Sequence, residues 1–418
     1  MSLNAEIFDK NNTKALSTVS PSLPVSPTAI PKKRIVFLDV LRAYAIMMML
    51  QGHFVDTMLD DRYRDLTSPI YWTWNFMRGL TAPIFFFVSG AIFVFLMLRD
   101  ARPWYQNLRI QKGLRRVLLL LFLGYILKWN FLYVFSFKFF PSFFFVDVFH
   151  IIGLAIFMVI AVFIVYQITR IPLPLMYFTL ALTAFLIAPI VKTHDWSFLP
   201  IVLQNYLIRD HGSTFILFPW IGFSLFGAVI GWHMHRWPNF YHTHWPPLLF
   251  LGLGLWIHYS VNDILNGLHH LTTIDLFRLA TYNNASFWRL GHVFIVFAIF
   301  IWISKIFRNI PPLVMKIGGE TLVIYSVHYV LLYGTWFGIG VRSLGSHTWT
   351  PWGVAIGAVL FLSFFAYLIY RIEEIRYFLY HLLPYYSSLY YRFLRLKLRR
   401  LYLEKRRIST SISAKKLR

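Results

Sequence analysis

The chain has 418 residues, 58% of them hydrophobic and only 14% charged, with 42 Phe, 24 Tyr and 15 Trp. A soluble domain carries roughly a quarter charged residues, so a soluble fold is excluded, and apolar runs able to cross roughly 30 Å of hydrocarbon recur along the whole length. The lack of cysteine excludes disulfides, thiolate chemistry and Cys-ligated metals. The formal charge of +23 lies between and after the apolar runs, the placement of membrane topology signals rather than of a nucleic-acid surface.

The first 33 residues are polar and carry Pro21, Pro24, Pro27 and Pro31. They are expected to form a disordered cytoplasmic tail without a signal peptide, so that the first span itself directs insertion. Ten helical spans are predicted, at 36–58, 71–98, 117–135, 147–166, 175–192, 213–234, 246–262, 286–304, 318–338 and 351–371. With both termini inside, and with the span-end residues Lys192 and Arg371 counted with the adjoining segments, the inner segments hold 29 of the 40 Lys and Arg residues, the outer loops 7 and the spans 4. That asymmetry supports both the even count and the orientation. The expected fold is therefore an all-α polytopic membrane protein of about ten transmembrane helices, both termini cytoplasmic. Residues 34–371 form the helical domain and 372–418 a basic, aromatic tail. Segment 385–407 of that tail, with Tyr385, Tyr386, Tyr390 and Tyr391 among Arg392, Arg395 and Arg399, reads as an interfacial helix.

The first span holds the most informative stretch. Residues 38–53, Leu-Asp-Val-Leu-Arg-Ala-Tyr-Ala-Ile-Met-Met-Met-Leu-Gln-Gly-His, put Asp39, Arg42 and His53 into an apolar helix. Asp39 and Arg42 are one turn apart, and His53 follows Arg42 by three turns plus roughly 20°, at roughly 16 Å of rise. The three groups share one stripe. Ionisable side chains inside a bilayer face a bundle interior or a water-filled cavity and commonly act there, although an end-of-helix ion pair and a histidine bonded to a neighbouring helix would give the same pattern.

The topology gathers other polar groups with them. Arg78 falls in the outer half of the second span. Asp147 and His150 are one turn apart at the outer start of the fourth, Arg289 and His292 at the outer start of the eighth, and His328 lies near the middle of the ninth. This basic set suits an anionic ligand better than a cation path. The inner loop 99–116 carries Arg99, Arg102, Arg109, Lys112, Arg115 and Arg116, either as a topology determinant on an anionic leaflet or as a surface for a phosphorylated cytoplasmic donor. No HExxH or similar close ligand set occurs, so no metal is expected, and no GxxxxGKS loop supports an ATP-driven pump.

Several short motifs resemble one known group in the same order. LDVLRAYAIMMMLQGH (Leu38–His53) resembles the first helix of the transmembrane acyltransferase superfamily, in which an Arg is followed after ten residues by a His. FFFVSGAIF (Phe85–Phe93) resembles the second-helix motif of acyltransferase-3 and heparan-alpha-glucosaminide acetyltransferase-like proteins. DVFHIIGL (Asp147–Leu154) and FPWIGFSLFGAVIG (Phe218–Gly231) are closer to the latter branch, and GGETLVIYSVHY (Gly318–Tyr329) resembles a late-helix motif of both. The chain departs from the pattern at Ala43-Tyr44, where a Gly after the Arg is commonest.

The resemblance implies transfer of an acyl group, most often acetyl from acetyl-CoA, to a hydroxyl or amine of a carbohydrate or envelope glycan. It implies His53 as general base or transient acyl carrier, Arg42 on the CoA phosphates with help from Arg99, Arg102 or Arg109, and Asp39 orienting Arg42. Arg78, Asp147, His150, Arg289 and His328 would line the cavity and hold the acceptor. The expected partners are acyl-CoA, a glycan and membrane lipids, with no nucleic acid. The expected location is a bacterial inner membrane. A transporter or flippase for an anionic lipid or glycan would use the same basic cavity without covalent chemistry.

Overall fold

A computed structural model of the chain describes residues 35–131, 141–282, 284–307, 309–382 and 384. The tail expected to be disordered and the interfacial helix expected at 385–407 lie outside the described residues. Among the described residues the chain is all-α, with no strand and one isolated parallel bridge from Leu59 to Trp349. It is a polytopic membrane protein. Seven helical segments are long and apolar enough to cross a membrane: Pro69–Met97, Pro141–Thr169, Leu173–Thr193, Leu217–Arg236, Trp245–Thr272, Ala285–Ile306 and Pro351–Tyr370. The three other predicted spans are helical as well. Val36–Met58 (α1) contains Asp39, Arg42 and Asp56, Leu108–Ile126 opens on a basic turn, and Thr321–Tyr333 is only 13 residues long.

The second predicted span is two helices, α2 (Pro69–Gly79) and α3 (Thr81–Met97), joined at Leu80. The helix Leu108–Ile126 (α4) starts well before the predicted residue 117. Asn107 fixes that start: its side chain accepts from the backbone N–H of Arg109 and Ile110, while its amide donates to the carbonyls of Met97 and Asp100. Free N–H groups at a helix start are satisfied in this way by Asn more effectively than by most residues. Val148–Thr169 (α5) begins at Asp147, which accepts from the Phe149 N–H. Next come Leu173–Thr193 (α6), the short Ile201–Leu207 (α7), Leu217–Arg236 (α8), Trp245–Thr272 (α9), Asp275–Tyr282 (α10) and Ala285–Ile306 (α11). The predicted ninth span breaks at Glu320 into Pro312–Gly319 (α12) and Thr321–Tyr333 (α13), followed by Pro351–Tyr370 (α14) and Ile372–Tyr377 (α15).

α1 occupies the centre, packed by α3, α11, α12, α13 and α14. Helix pairs in lipid gain little from apolar burial and rely on close backbone approach. The tightest pair, α3 on α8, shows this directly. A Cβ placed on Gly90 would stand 1.9 Å from the Ser224 carbonyl oxygen, and one on Gly227 1.9 Å from that of Phe87. Ser224 Oγ donates to the Phe86 carbonyl across the same seam, at 3.0 Å. α12 meets α1 as closely, with Gly318 against the Asp39 carbonyl. The helices α6, α9 and α14 bury only 28%, 22% and 28% of their most apolar windows, so their outer faces meet lipid.

Candidate functional site

A cavity of about 590 Å³ runs between α1, α13 and the first turns of α3, α5, α8 and α11. On α1 its lining extends from Ala45 to Asp56, and on α13 from Thr321 to Tyr333, so it follows roughly 16 to 18 Å of helix. Both helices run in the same sense along it, and they are tied together twice. At one end Arg42 Nη2 donates to Thr321 Oγ1 at 3.0 Å. At the other the Tyr333 hydroxyl and His53 Nδ1 form a hydrogen bond of 3.1 Å.

His53 is in the cavity wall. With Nδ1 engaged by Tyr333, Nε2 is the ring nitrogen left for chemistry, and the hydrogen bond fixes the ring's orientation. His328 stacks on it, ring centroids 5.4 Å apart and planes 25° apart. His328 is fully buried, with both ring nitrogens unpartnered among the described residues, and it does not itself line the cavity. Arg42 lies just beyond the cavity, 3.8 Å from Asp39, and Arg116 and Glu320 are close enough to act on its charge. Arg116, from α4, is a lining residue at that end.

Past His53 the wall turns strongly basic. Arg78 lies there with its Nη2 2.5 Å from Asp56 Oδ2. Asp56 is also 3.5 Å from Arg64, and the Arg78 stem crosses Gly52, whose Cα leaves room for it. Trp74, beneath the Arg78 guanidinium, donates its indole N–H to Gln51. Arg209 and Arg289 complete this end.

A buried ion pair forms one side. Asp147 lines the cavity, and its Oδ2 is 3.5 Å from Lys128 Nζ, both side chains under a tenth exposed. Lys128 also donates to the Phe145 carbonyl. His150, behind Asp147, sets Nδ1 3.0 Å from Asp147 Oδ1 and 3.2 Å from the Asp147 backbone nitrogen. The first contact needs a protonated Nδ1 and the second a free lone pair, so one tautomer satisfies only one of them. A charge buried at such a site is tolerated because its partner is buried with it.

The structure thus brings His53, Arg78, Asp147 and Arg289 into one lining. It places His150 and His328 behind that lining, and Arg42 with Asp39 just beyond its end. Arg99, Arg102 and Arg109 lie away from it. The Arg99 guanidinium sits 4.7 Å over the Phe95 ring. Arg102 holds Asp100 through two hydrogen bonds of 2.7 Å, which depress that carboxyl to about 2. Arg109 begins α4, seven residues and so two turns before Arg116, on the same face. Among the described residues no group of three His, Asp or Glu side chains is placed to hold a metal ion.

From the sequence alone no role falls to Tyr333, Thr321, Lys128, Asp56 or Arg209, and Arg116 stands out only as one of the basic residues of the inner loop 99–116. Tyrosine and threonine carry no charge to mark them within apolar helices, and Arg116 and Arg209 have the same appearance as topology signals. Lys128 and Asp56 carried a usable signal, as charges inside predicted spans.

Residues 34–261, 228 of the 418, match the family model described as heparan-alpha-glucosaminide N-acetyltransferase, catalytic. The match contains α1 through most of α9 and ends before α13. No curated protein and no solved structure matches the chain.

Proposed function

We propose that this chain, which belongs to the heparan-alpha-glucosaminide N-acetyltransferase catalytic family, moves an acetyl group from acetyl-CoA to a hydroxyl or amine of an envelope carbohydrate beside His53. Family membership makes it a membrane acetyltransferase with a glycan-like acceptor. The observation that carries the rest is the position of His53, in the wall of a cavity, its Nδ1 held by Tyr333 and its helix running back to Arg42.

In this reading the CoA phosphates sit on Arg42 and Arg116, with Arg109 leading in from the cytoplasmic surface along α4. Asp39 orients Arg42 from one turn away. The pantetheine arm lies along α1 and brings the thioester to His53. His53 Nε2 takes the proton as the acceptor oxygen or nitrogen attacks the thioester carbonyl. The carbonyl oxygen becomes an oxyanion, which the Arg78 guanidinium stabilises. The carbon–sulfur bond then breaks, the carbonyl re-forms, and the departing CoA thiolate takes the proton from His53. The same nitrogen serves as acyl carrier if transfer proceeds in two steps, and trapping a labelled acyl-enzyme in a single turnover separates the two courses. Asp147, His150 and His328 shape the acceptor side, and in this reading the enzyme sits in a bacterial inner membrane with both termini inside.

Acetyl transfer from radiolabelled acetyl-CoA, measured in proteoliposomes, tests the reading. Loss of a positioned base costs roughly 10²- to 10⁴-fold, so His53→Ala is expected to fall to background while its folded yield stays that of wild type. Equal rates in the two proteins overturn the assignment.

A further inference from the structure

The basic end of the cavity holds three arginines, and they are not equivalent. Arg78 already has a carboxylate at 2.5 Å, and that carboxylate is shared with Arg64. Arg209 and Arg289 line the same space, and among the described residues neither forms a hydrogen bond or an ion pair with any side chain or carbonyl. Arg209 is also close enough to Arg289 to act on it as a like charge. A single exposed arginine needs no explanation, but two that face one cavity repel each other, and an anion between them removes that repulsion.

The number of donors narrows the class of anion. A carboxylate carries a single negative charge, which between two guanidinium groups leaves one positive charge unbalanced. A phosphate offers more oxygens and up to two charges, enough for two forks at once. Trp288, the residue before Arg289 in α11, opens a continuous row of ring contacts. Trp288 lies 5.2 Å from His258, which lies 5.0 Å from His292, itself 4.9 Å from Phe76, and Phe76 is stacked at 5.6 Å on Trp72. Trp72 and Trp288 are 54% and 41% exposed. Flat ring faces that begin one residue from Arg289 complement a sugar bound to a phosphate.

We infer that the acceptor is a phosphate-bearing glycan, its phosphate held by Arg209 and Arg289 and its sugar directed toward His53. The assignment of this end to the acceptor rests on the acetyltransferase reading, whereas the phosphate site itself does not.

Two measurements on the full chain in nanodiscs test it. In the first, acetyl transfer is compared for glucosamine 1-phosphate, neutral methyl glucosaminide and a glucosaminyl-glucuronate disaccharide. The phosphate acceptor is expected to exceed both others in kcat/KM by about tenfold or more. Arg209→Ala with Arg289→Ala is expected to erase that advantage while leaving the KM for acetyl-CoA unchanged. Equal use of the three acceptors, an advantage that survives in the double variant, or a shift in the acetyl-CoA KM instead, which would put donor phosphates on these arginines, overturns the inference. A polyprenyl-linked glucosaminyl phosphate in the same bilayer distinguishes a lipid-borne from a soluble source, and use of either supports the site.

In the second, thermal stabilisation by glucosamine 1-phosphate is measured without acetyl-CoA. Stabilisation of wild type but not of the double variant supports the site even where no acetyl is transferred, in which case only the acetyltransferase reading fails. Equal stabilisation of both, or of neither, overturns the site. Arg209 and Arg289 are exposed and make no internal bonds, so the double variant is expected to fold, and retention of its ring-current and melting profile in buffer checks that.

Discussion

Tyr333→Phe isolates one hydrogen bond at the reaction centre. The substitution keeps the ring and its packing on Tyr329, 5.1 Å away, and removes only the hydroxyl 3.1 Å from His53 Nδ1. A neutral hydrogen bond contributes about 0.5–1.5 kcal/mol net, and one to a charged group about 1.5–3 kcal/mol. As His53 takes the proton, its bond to Tyr333 passes from the first kind to the second. Only that difference, about 1 to 1.5 kcal/mol, enters the barrier, which predicts a fall in kcat of about five- to tenfold. The KM for acetyl-CoA is expected to stay within twofold of wild type, because Tyr333 and the Arg42–Arg116 end lie at opposite ends of α13. Initial rates over a range of acetyl-CoA concentrations in proteoliposomes separate the two constants. A kcat unchanged from wild type, or a change confined to KM, refutes the assignment of Tyr333 as the group that positions His53.

Other outcomes follow from the same geometry. Gly90→Ala puts a methyl group 1.9 Å from the Ser224 carbonyl, whereas Gly79→Ala meets nothing within 4 Å. The first is expected to lose at least about 1–3 kcal/mol of stability through overpacking and the second to be near neutral, as read by melting temperature in detergent. Lys128→Met strands Asp147 in a buried site and is expected to destabilise by about 3–5 kcal/mol, with Asp147→Asn added to it recovering part of the loss, measured in the same assay as a double-mutant cycle. Arg42→Ala removes the donor-end cation and is expected to raise the KM for acetyl-CoA about tenfold or more, with kcat changed less than by His53→Ala.

What could be read from the sequence depended on whether a residue contrasted with its surroundings. Asp39, Arg42 and His53 stood out because charge is costly in an apolar helix, and helix periodicity alone put them on one stripe. Arg78, Asp147 and Arg289 were visible for the same reason once the topology had assigned a depth to each. Tyr333 and Thr321 had no such contrast, since the Tyr and Thr that tie α13 to α1 look like any others in a run of aromatic and small residues. The helix break at Glu320 was hidden because Gly318 and Gly319 are tolerated inside membrane helices, and the close approach of Gly318 to the Asp39 backbone beside it is a tertiary fact. Arg209, just past the end of α7, and Arg289, on α11, share a cavity only through the tertiary fold, so proximity between residues eighty positions apart could not be read from local pattern.

The two ties between α1 and α13 set limits on chain length as well as on residue type. Arg42 and His53 are eleven residues apart, and their partners Thr321 and Tyr333 twelve apart, on helices that run in the same sense. Adding one residue between Arg42 and His53 would turn everything beyond it by about 100° and advance it by about 1.5 Å, so whichever tie is kept, the other is lost. Side chains along these segments can therefore drift among apolar types, but insertions and deletions cannot be absorbed there. Length variation is expected to collect in connections such as 59–68 and 237–244, and a grafting or domain-swap experiment should cut the chain at those points.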